Sequence, residues 1–307
     1  MTSTKNKGPL LFLDSGAHSL YVREVIKKGK KGGYGCFKTK EFQEYVDGYA
    51  TFVLKHLDVL DYYANVDVIF DPELSWKTLK YLEKEYGLHP VPVIHYGTDF
   101  SWIKKHLDAG YEFLGIGGVG QRVSAASYIH WADSLFECLC PGPSHLPIVR
   151  THGFAMTSLF LLRRYPWWSV DSASWEKTGA FGSILVPDRR DGKWDFIETP
   201  WQISVSEESP AMSKRNTIGR CIQDMNKDGL VKKLVLDWLE EIKIPVGSRN
   251  DSGETIEKGV TNYHVCRKQA CLYYFDRFVK TLPEWPWPFH PKESEGGIWK
   301  EGRQLAL

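Results

Sequence analysis

Short apolar runs alternate with longer amphipathic stretches over the first two-thirds of the chain. Leu10–Leu13 is apolar on both faces and stops at Asp14-Ser15-Gly16. Between Glu41 and His56, the residues Phe42, Tyr45, Val46, Tyr49, Phe52 and Val53 recur at helical spacing. Asn65–Phe70 then reads as a strand ending at Asp71-Pro72, and Trp76–Tyr86 as a helix closed by Gly87. Val91–His95 is a further strand, with Asp99 as N-cap of a helix that ends before Gly110. Phe113–Ile116 runs into Gly117-Gly118, and the helix after it carries Ile129, Ala132, Leu135 and Phe136. Pro147–Arg150 reaches Thr151-His152-Gly153, and a short helix holds Leu159–Leu162. Trp167–Val170 ends on Asp171-Ser172, and Ser183–Val186 follows.

Strands that are apolar on both faces and alternate with helices predict an α/β fold with a parallel sheet wrapped by helices. About seven such units, each strand ending in polar residues or glycine, favour a TIM (β/α)8-type barrel with its site at those strand ends. After Val186 the rhythm breaks. Asp188–Lys193 reads as the tip of a hairpin insertion near 187–205. An amphipathic helix follows on Leu230, Val231, Leu234, Val235, Trp238, Leu239 and Ile242. A polar linker over Pro245–Lys258 leads to a helix over about His264–Lys280 and the run Pro283–Pro288. The expected organisation is a barrel over 1–228 that includes the hairpin, and a helical C-terminal extension over 229–307 packed on it.

Composition narrows this only a little. The 307 residues are 42% hydrophobic and 25% charged, as in an ordinary globular protein, which excludes a disordered or fibrous chain. Lys+Arg 39 against Asp+Glu 38 leaves no global field to draw in a nucleic acid. Local basic patches would have to do so: Lys27, Lys28, Lys30 and Lys31 directly after the first strand, and Arg189 and Arg190 on the hairpin tip. Leu10–Leu13 is shorter than a secretory core, and the uncharged stretch Thr151–Leu162 is too short to span a bilayer. A cytoplasmic protein without membrane contact is expected, its six cysteines reduced. Cys138-x-Cys140 is too short to hold a metal by itself, and in His264-x-Cys266-x4-Cys271 the thiols diverge on a helix. No cofactor is therefore expected, with zinc on Cys266, Cys271 and a histidine as the alternative.

Two carboxylates stand out because each ends a hydrophobic strand, Asp14 after Leu13 and Asp171 after Val170. Two facing carboxylates suit displacement at a sugar C1′, one as nucleophile and one as acid and base. The bland alternative makes each the N-cap of the next helix. Asp71, His95 and His152 also end strands, and Gly117-Gly118 would let backbone approach a flat ligand. These five form a candidate base-binding set around the same mouth.

Taken in order, these residues resemble a known family. Asp14-Ser15-Gly16-Ala17 resembles the Asp-Ser-Gly-Gly motif of guanine transglycosylases, TIM-barrel enzymes that exchange guanine for a 7-deazaguanine in tRNA. Val68-Ile69-Phe70-Asp71 resembles that family's next strand, whose terminal Asp reads the guanine edge. Pro92–Gly97 falls where the family has a base-binding Gln, here His95. Leu114–Val119 is similar to its Ile-Gly-Gly-Leu stretch, and Trp168–Ser172 falls at its nucleophilic Asp. The matches keep chain order over about residues 10 to 175. The family's four-ligand zinc motif is missing, and Asp171 is followed by Ser-Ala-Ser-Trp in place of a Pro-Thr-Arg type sequence. These departures are most like the DpdA branch of phages and bacterial islands, which places 7-deazaguanines in DNA. The resemblance implies a DNA-guanine transglycosylase with DNA and a free 7-deazaguanine base as partners, Asp171 as nucleophile and Asp14 as acid and base. A tRNA-guanine transglycosylase, an N-glycosyl hydrolase and a silent nucleic-acid-binding paralogue are the alternatives.

Overall fold

A computed structural model describes residues 9–23, 37–118, 124–156, 158–208 and 229–290. The chain divides into two compact units, residues 1–171 with 285–307, and residues 172–284. In the first unit β1 (Phe12–Leu13), α1 (Ala17–Tyr21), α2 (Lys40–Lys55), β2 (Tyr62–Tyr63), α3 (Pro72–Tyr86) and β3 (Val93–His95) lead into α4 (Phe100–Asp108). It continues through β4 (Phe113–Gly117), α5 (Ala125–Leu139), β5 (Arg150–Gly153), α6 (Leu159–Arg164) and β6 (Ser169–Val170). The fold is mixed α/β with parallel pairing. The helix ends follow local chemistry: Asp71 caps α3 with Pro72 in its first turn, and Gly87 closes it in the left-handed region at φ 65°.

β3, β4, β5 and β6 form a four-stranded parallel sheet, and β1 pairs in parallel with β2. A parallel bridge between Ala64 and Val91 links the two sets, with Asn65 N–H on the Val91 carbonyl and Val91 N–H on the Tyr63 carbonyl, both at 2.8 Å. Neighbours in space are therefore neighbours in sequence from β1 to β6. The layer is strongly curled. The Phe12 ring of β1 lies 4.5 Å from the His152 ring of β5, and Tyr62 of β2 lies 5.4 Å from Trp168 before β6. In a flat sheet, strands four places apart would be separated by roughly 19 Å. The Arg150 guanidinium sits among Tyr62, Phe113 and Trp168, 5.1 to 5.4 Å from each ring, and donates to the Tyr62 hydroxyl at 2.8 Å.

Several strands are shorter than the pattern predicts or displaced from it. Leu10 and Leu11 remain 61% and 47% exposed, so pairing starts only at Phe12. The expected strand Asn65–Phe70 is replaced by β2, one turn earlier. Val66 and Val68 are buried as a strand would require, but the ladder bonds go elsewhere. Ser75 Oγ accepts the Val68 N–H at 2.8 Å and donates to carbonyls of the same loop, while Asn65 donates to the Ser75 carbonyl. A hydroxyl from α3 thus satisfies backbone that a neighbouring strand would otherwise serve.

The second unit holds α7 (Ser174–Ala180), β7 (Ser183–Val186), β8 (Asp188–Arg190), β9 (Lys193–Asp195) and β10 (Trp201–Ser204). It ends with α8 (Leu230–Glu241), β11 (Ser248–Arg249), β12 (Thr255–Glu257) and α9 (His264–Val279). The hairpin read from the sequence is present, its tip formed by Asp191 and Gly192 at φ 48° and 77°, the pair of positive values that a two-residue turn needs. Ser183–Val186, expected as the next parallel strand, pairs antiparallel with β10 instead. α8 and α9 pack on β7, and α9 on α7. The compact units meet at 171/172 and 284/285. Among the described residues no helix is long and apolar enough to cross a membrane.

Gly179 marks a close backbone approach in this unit. A Cβ on it would stand 2.6 Å from the Lys268 backbone nitrogen and 2.8 Å from the Lys268 Cα of α9. The buried Arg267 beside it donates to the Gly179 and Val260 carbonyls, each at 2.9 Å. Gly179→Ala is expected to destabilise the full chain by about 1–3 kcal/mol through overpacking. Urea unfolding checks this, and an unchanged midpoint would mean that α7 and α9 separate without cost.

Candidate active site

Asp14 and Asp171 both stand just past the ends of parallel strands in the first unit, on the side where His95, Gly117 and Gly153 end theirs. After Asp14 the chain turns at once into α1 through Gly16, at φ 72°. A Cβ on Gly16 would lie 2.8 Å from the Tyr45 hydroxyl oxygen, and that hydroxyl donates to the Ser15 carbonyl at 2.6 Å. Only glycine allows both the left-handed turn and the tyrosine. Asp14 keeps contact with solvent, but the protein around it raises its pKa through burial. The charges of Asp67 and Asp171 add to the rise, against hydrogen bonds from the Gly16 and Ser15 amides.

Asp171 is shifted the opposite way. Burial opposes its ionisation but is outweighed by the His152 side chain and the Ala155 amide, so its pKa lies below the ordinary carboxylate value. The Ala155 N–H donates to Asp171 Oδ1 at 2.7 Å, and His152 Nε2 lies 3.6 Å from the same oxygen. Ala155 adopts φ 55°, a left-handed conformation that alanine rarely occupies, at the point where its amide turns toward the carboxylate. His152 is buried against the rings of Phe12 and Phe154, and its Nδ1 meets Ser169 Oγ at 2.8 Å.

A third acid, Asp67, was missed by the sequence reading, which placed the base-reading carboxylate at Asp71. Asp67 is 5% exposed and hydrogen-bonds His95 Nε2. The other imidazole nitrogen, Nδ1, is buried without a hydrogen-bond partner beside Gly117. Gly117 and Gly118 serve this packing: a Cβ on the first would lie 2.9 Å from His95 Nδ1, and on the second 2.9 Å from the Tyr96 amide nitrogen. Asp71 is used differently, as the N-cap whose Oδ1 accepts the Leu74 N–H at 2.9 Å. The signal for Asp67 lay in the sequence, as a lone acid flanked by Val66 and Val68 in a run otherwise destined for burial.

The remaining candidates fall elsewhere. Lys27, Lys28, Lys30 and Lys31 lie outside the described residues. Arg189 and Arg190 belong to the second unit and are engaged by acids, Arg189 with Asp237 at 2.7 Å and Arg190 with Asp195 at 2.8 Å and Glu198 at 3.1 Å. Their charge is largely spent within the unit. Cys271 does not suit a zinc ligand: it is fully buried, its thiol lies 3.9 Å from the Ser183 carbonyl, and burial pushes its pKa up to about 12. Among the described residues no group of three or more His, Cys, Asp or Glu is gathered to hold a metal ion.

The raised pKa of Asp14 carries a stability consequence independent of any function. A carboxyl whose pKa is higher folded than unfolded contributes stability below its unfolded pKa and loses it as pH rises through the folded one. At neutral pH the wild type carries that penalty. Asp14→Asn is therefore expected to melt higher than wild type at pH 7, with the difference disappearing in acid below the ordinary carboxylate range. Thermal melts across pH test this, and a variant less stable at pH 7 would contradict the reading of Asp14 as an electrostatically strained group.

Compared with known proteins, the chain matches no family model, no curated protein and no solved structure.

Proposed function

We propose that the protein is a DNA-guanine transglycosylase that exchanges a guanine for a 7-deazaguanine base through a covalent glycosyl-aspartate. One observation carries the reading: two strand-end carboxylates of the first unit, near enough for the charge of one to act on the other, have pKa values pushed apart, Asp14 up and Asp171 down. Environments that separate paired acids in this way assign the acid and the nucleophile. Ionised Asp171 attacks C1′ of the target nucleotide, the bond to guanine breaks, and Asp14 supplies the proton that leaves with the base. The incoming 7-deazaguanine gives its ring N–H proton to Asp14 and attacks C1′. Asp171 departs with the electrons of its ester bond, and two inversions restore the original configuration. One N-glycosidic bond replaces another, so no redox partner is consumed.

The rest of the first unit supports this reading. Six parallel strands in chain order, curled until β1 meets β5, are compatible with a (β/α)8-type barrel whose mouth holds the strand-end carboxylates. A base inside a duplex must leave the stack to reach such a mouth. In this reading Asp67 and His95, not Asp71, face the base site. The lysines at 27, 28, 30 and 31 would supply phosphate contacts, and tRNA is the alternative polymer.

Incubating the full chain with labelled 7-deazaguanine or guanine and duplex DNA, single-stranded DNA or tRNA tests the proposal. Label should enter DNA with wild type, and Asp171→Asn should lower the rate by at least about a thousandfold. Label in tRNA alone would reassign the polymer, and release of base without incorporation would indicate a hydrolase. Exchange should follow a bell-shaped pH profile, its acid limb set by Asp171 and its alkaline limb by Asp14. Asp67→Asn removes a charge that raises Asp14, so the alkaline limb should move to lower pH. An alkaline limb that stays in place would remove Asp67 from the site.

A further inference from the structure

Asp171 offers two oxygens, and the protein treats them differently. The Ala155 N–H and His152 Nε2 both address Oδ1, at 2.7 and 3.6 Å. The amide is delivered by a non-glycine residue in the left-handed region, which persists only where surrounding structure enforces it. The imidazole is equally constrained. It is buried, with Phe12 and Phe154 rings at 4.5 and 4.6 Å, and its far nitrogen lies 2.8 Å from Ser169 Oγ. A serine hydroxyl that donates to Nδ1 leaves the proton on Nε2, the nitrogen that faces the carboxylate. Ser169 of β6 and Asp171 just past its end flank Val170, so the histidine is held at both ends by the segment whose carboxylate it addresses. Gly153 completes the arrangement: its carbonyl accepts the Asp171 N–H at 3.2 Å, and a Cβ on it would press on Met156, Val170 and Trp167.

We infer that His152 is a positioning residue for Asp171: with the Ala155 amide it clamps Oδ1, and so assigns Oδ2 as the oxygen that attacks C1′. This takes His152 out of the base-binding set. It rests on the transglycosylase reading for the identity of the attacked atom, while the clamp itself is a property of the free protein. The acidic groups near it are Asp14 after β1, which feels the charges of Asp171 and Asp67, and Asp67 after β2, paired with His95. A clamp on one oxygen fixes the rotation of the carboxylate, which otherwise presents either oxygen, and keeps it ionised beside Asp14.

The test uses the full chain with 13C-labelled aspartate and follows the Asp171 carboxyl resonance through a pH titration in wild type, His152→Gln, His152→Ala and Ser169→Ala. Gln places an amide N–H where Nε2 stood, so it should hold the titration near the wild-type midpoint. His152→Ala should raise the midpoint by about one pH unit. Ser169→Ala leaves the ring in place but frees its tautomer, and a smaller rise in the same direction is expected. In the exchange assay His152→Ala should lower kcat by roughly tenfold or more with KM for the polymer little changed, and His152→Gln should recover most of it. A midpoint that stays put in both His152→Ala and Ser169→Ala overturns the clamp. If wild type exchanges no base with any polymer, the transglycosylase reading fails, and the carboxyl titration still decides the clamp.

Discussion

Three carboxylates gathered at one end of a curled parallel layer repel one another, and the first unit is organised around how that repulsion is distributed. Asp67 is given the His95 imidazole, Asp171 an amide and a second imidazole, and Asp14 only the amides of its own turn. Asp171 is held below the ordinary carboxylate range, and Asp14 above it. The asymmetry follows from hydrogen-bond supply: donors aimed at one carboxylate lower its pKa, and the field of the resulting anions raises the pKa of the neighbour that has fewest.

The supply of donors depends in turn on features that look like packing. His95 fits over β4 because Gly117 has no side chain, and Gly16 leaves room for Tyr45, whose hydroxyl holds the turn after Asp14. Beneath the site, Phe12, Tyr62, Phe113, Phe154 and Trp168 fill the concave side, with Arg150 among three of the rings. Large rings are what bring residues of β1 and β5 within contact, and hence what draw Asp14 and Asp171 into one field. The low-dielectric layer below also strengthens every charge interaction at the mouth.

The energetic trade is visible at single residues. Ala155 accepts a left-handed backbone to present its amide, Asp14 accepts a raised pKa, and His95 leaves a nitrogen unpaired. Each costs stability and none improves packing. Strain of this kind is what makes the site a candidate. In the second unit Arg189 and Arg190 are paired with carboxylates and Arg267 with carbonyls, and Trp238 and Tyr274 are core.

Much of this was legible along the chain. The alternation of short two-faced apolar runs with amphipathic helices determined an α/β fold with parallel strands, because a strand buried on both faces needs a helix on each side. Local chemistry also located the cap at Asp99 and the turn at Asp191-Gly192, and singled out Asp14 and Asp171 as acids that end strands. What only the tertiary structure decided depends on partners distant in sequence. Ser75 of α3 satisfied the backbone around Val68, and so moved β2 ahead of the predicted strand and left Asp71 as a cap. His95 made Asp67 the third acid, from 28 residues away. β10 drew β7 out of the parallel pattern and placed the unit boundary at 171/172. The sequence by itself determined which polar residues stand at strand ends. Their pKa values, and whether a carboxylate caps a helix or enters the site, were decided by which donors the fold brings within about 3 Å, a distance that no spacing along the chain encodes.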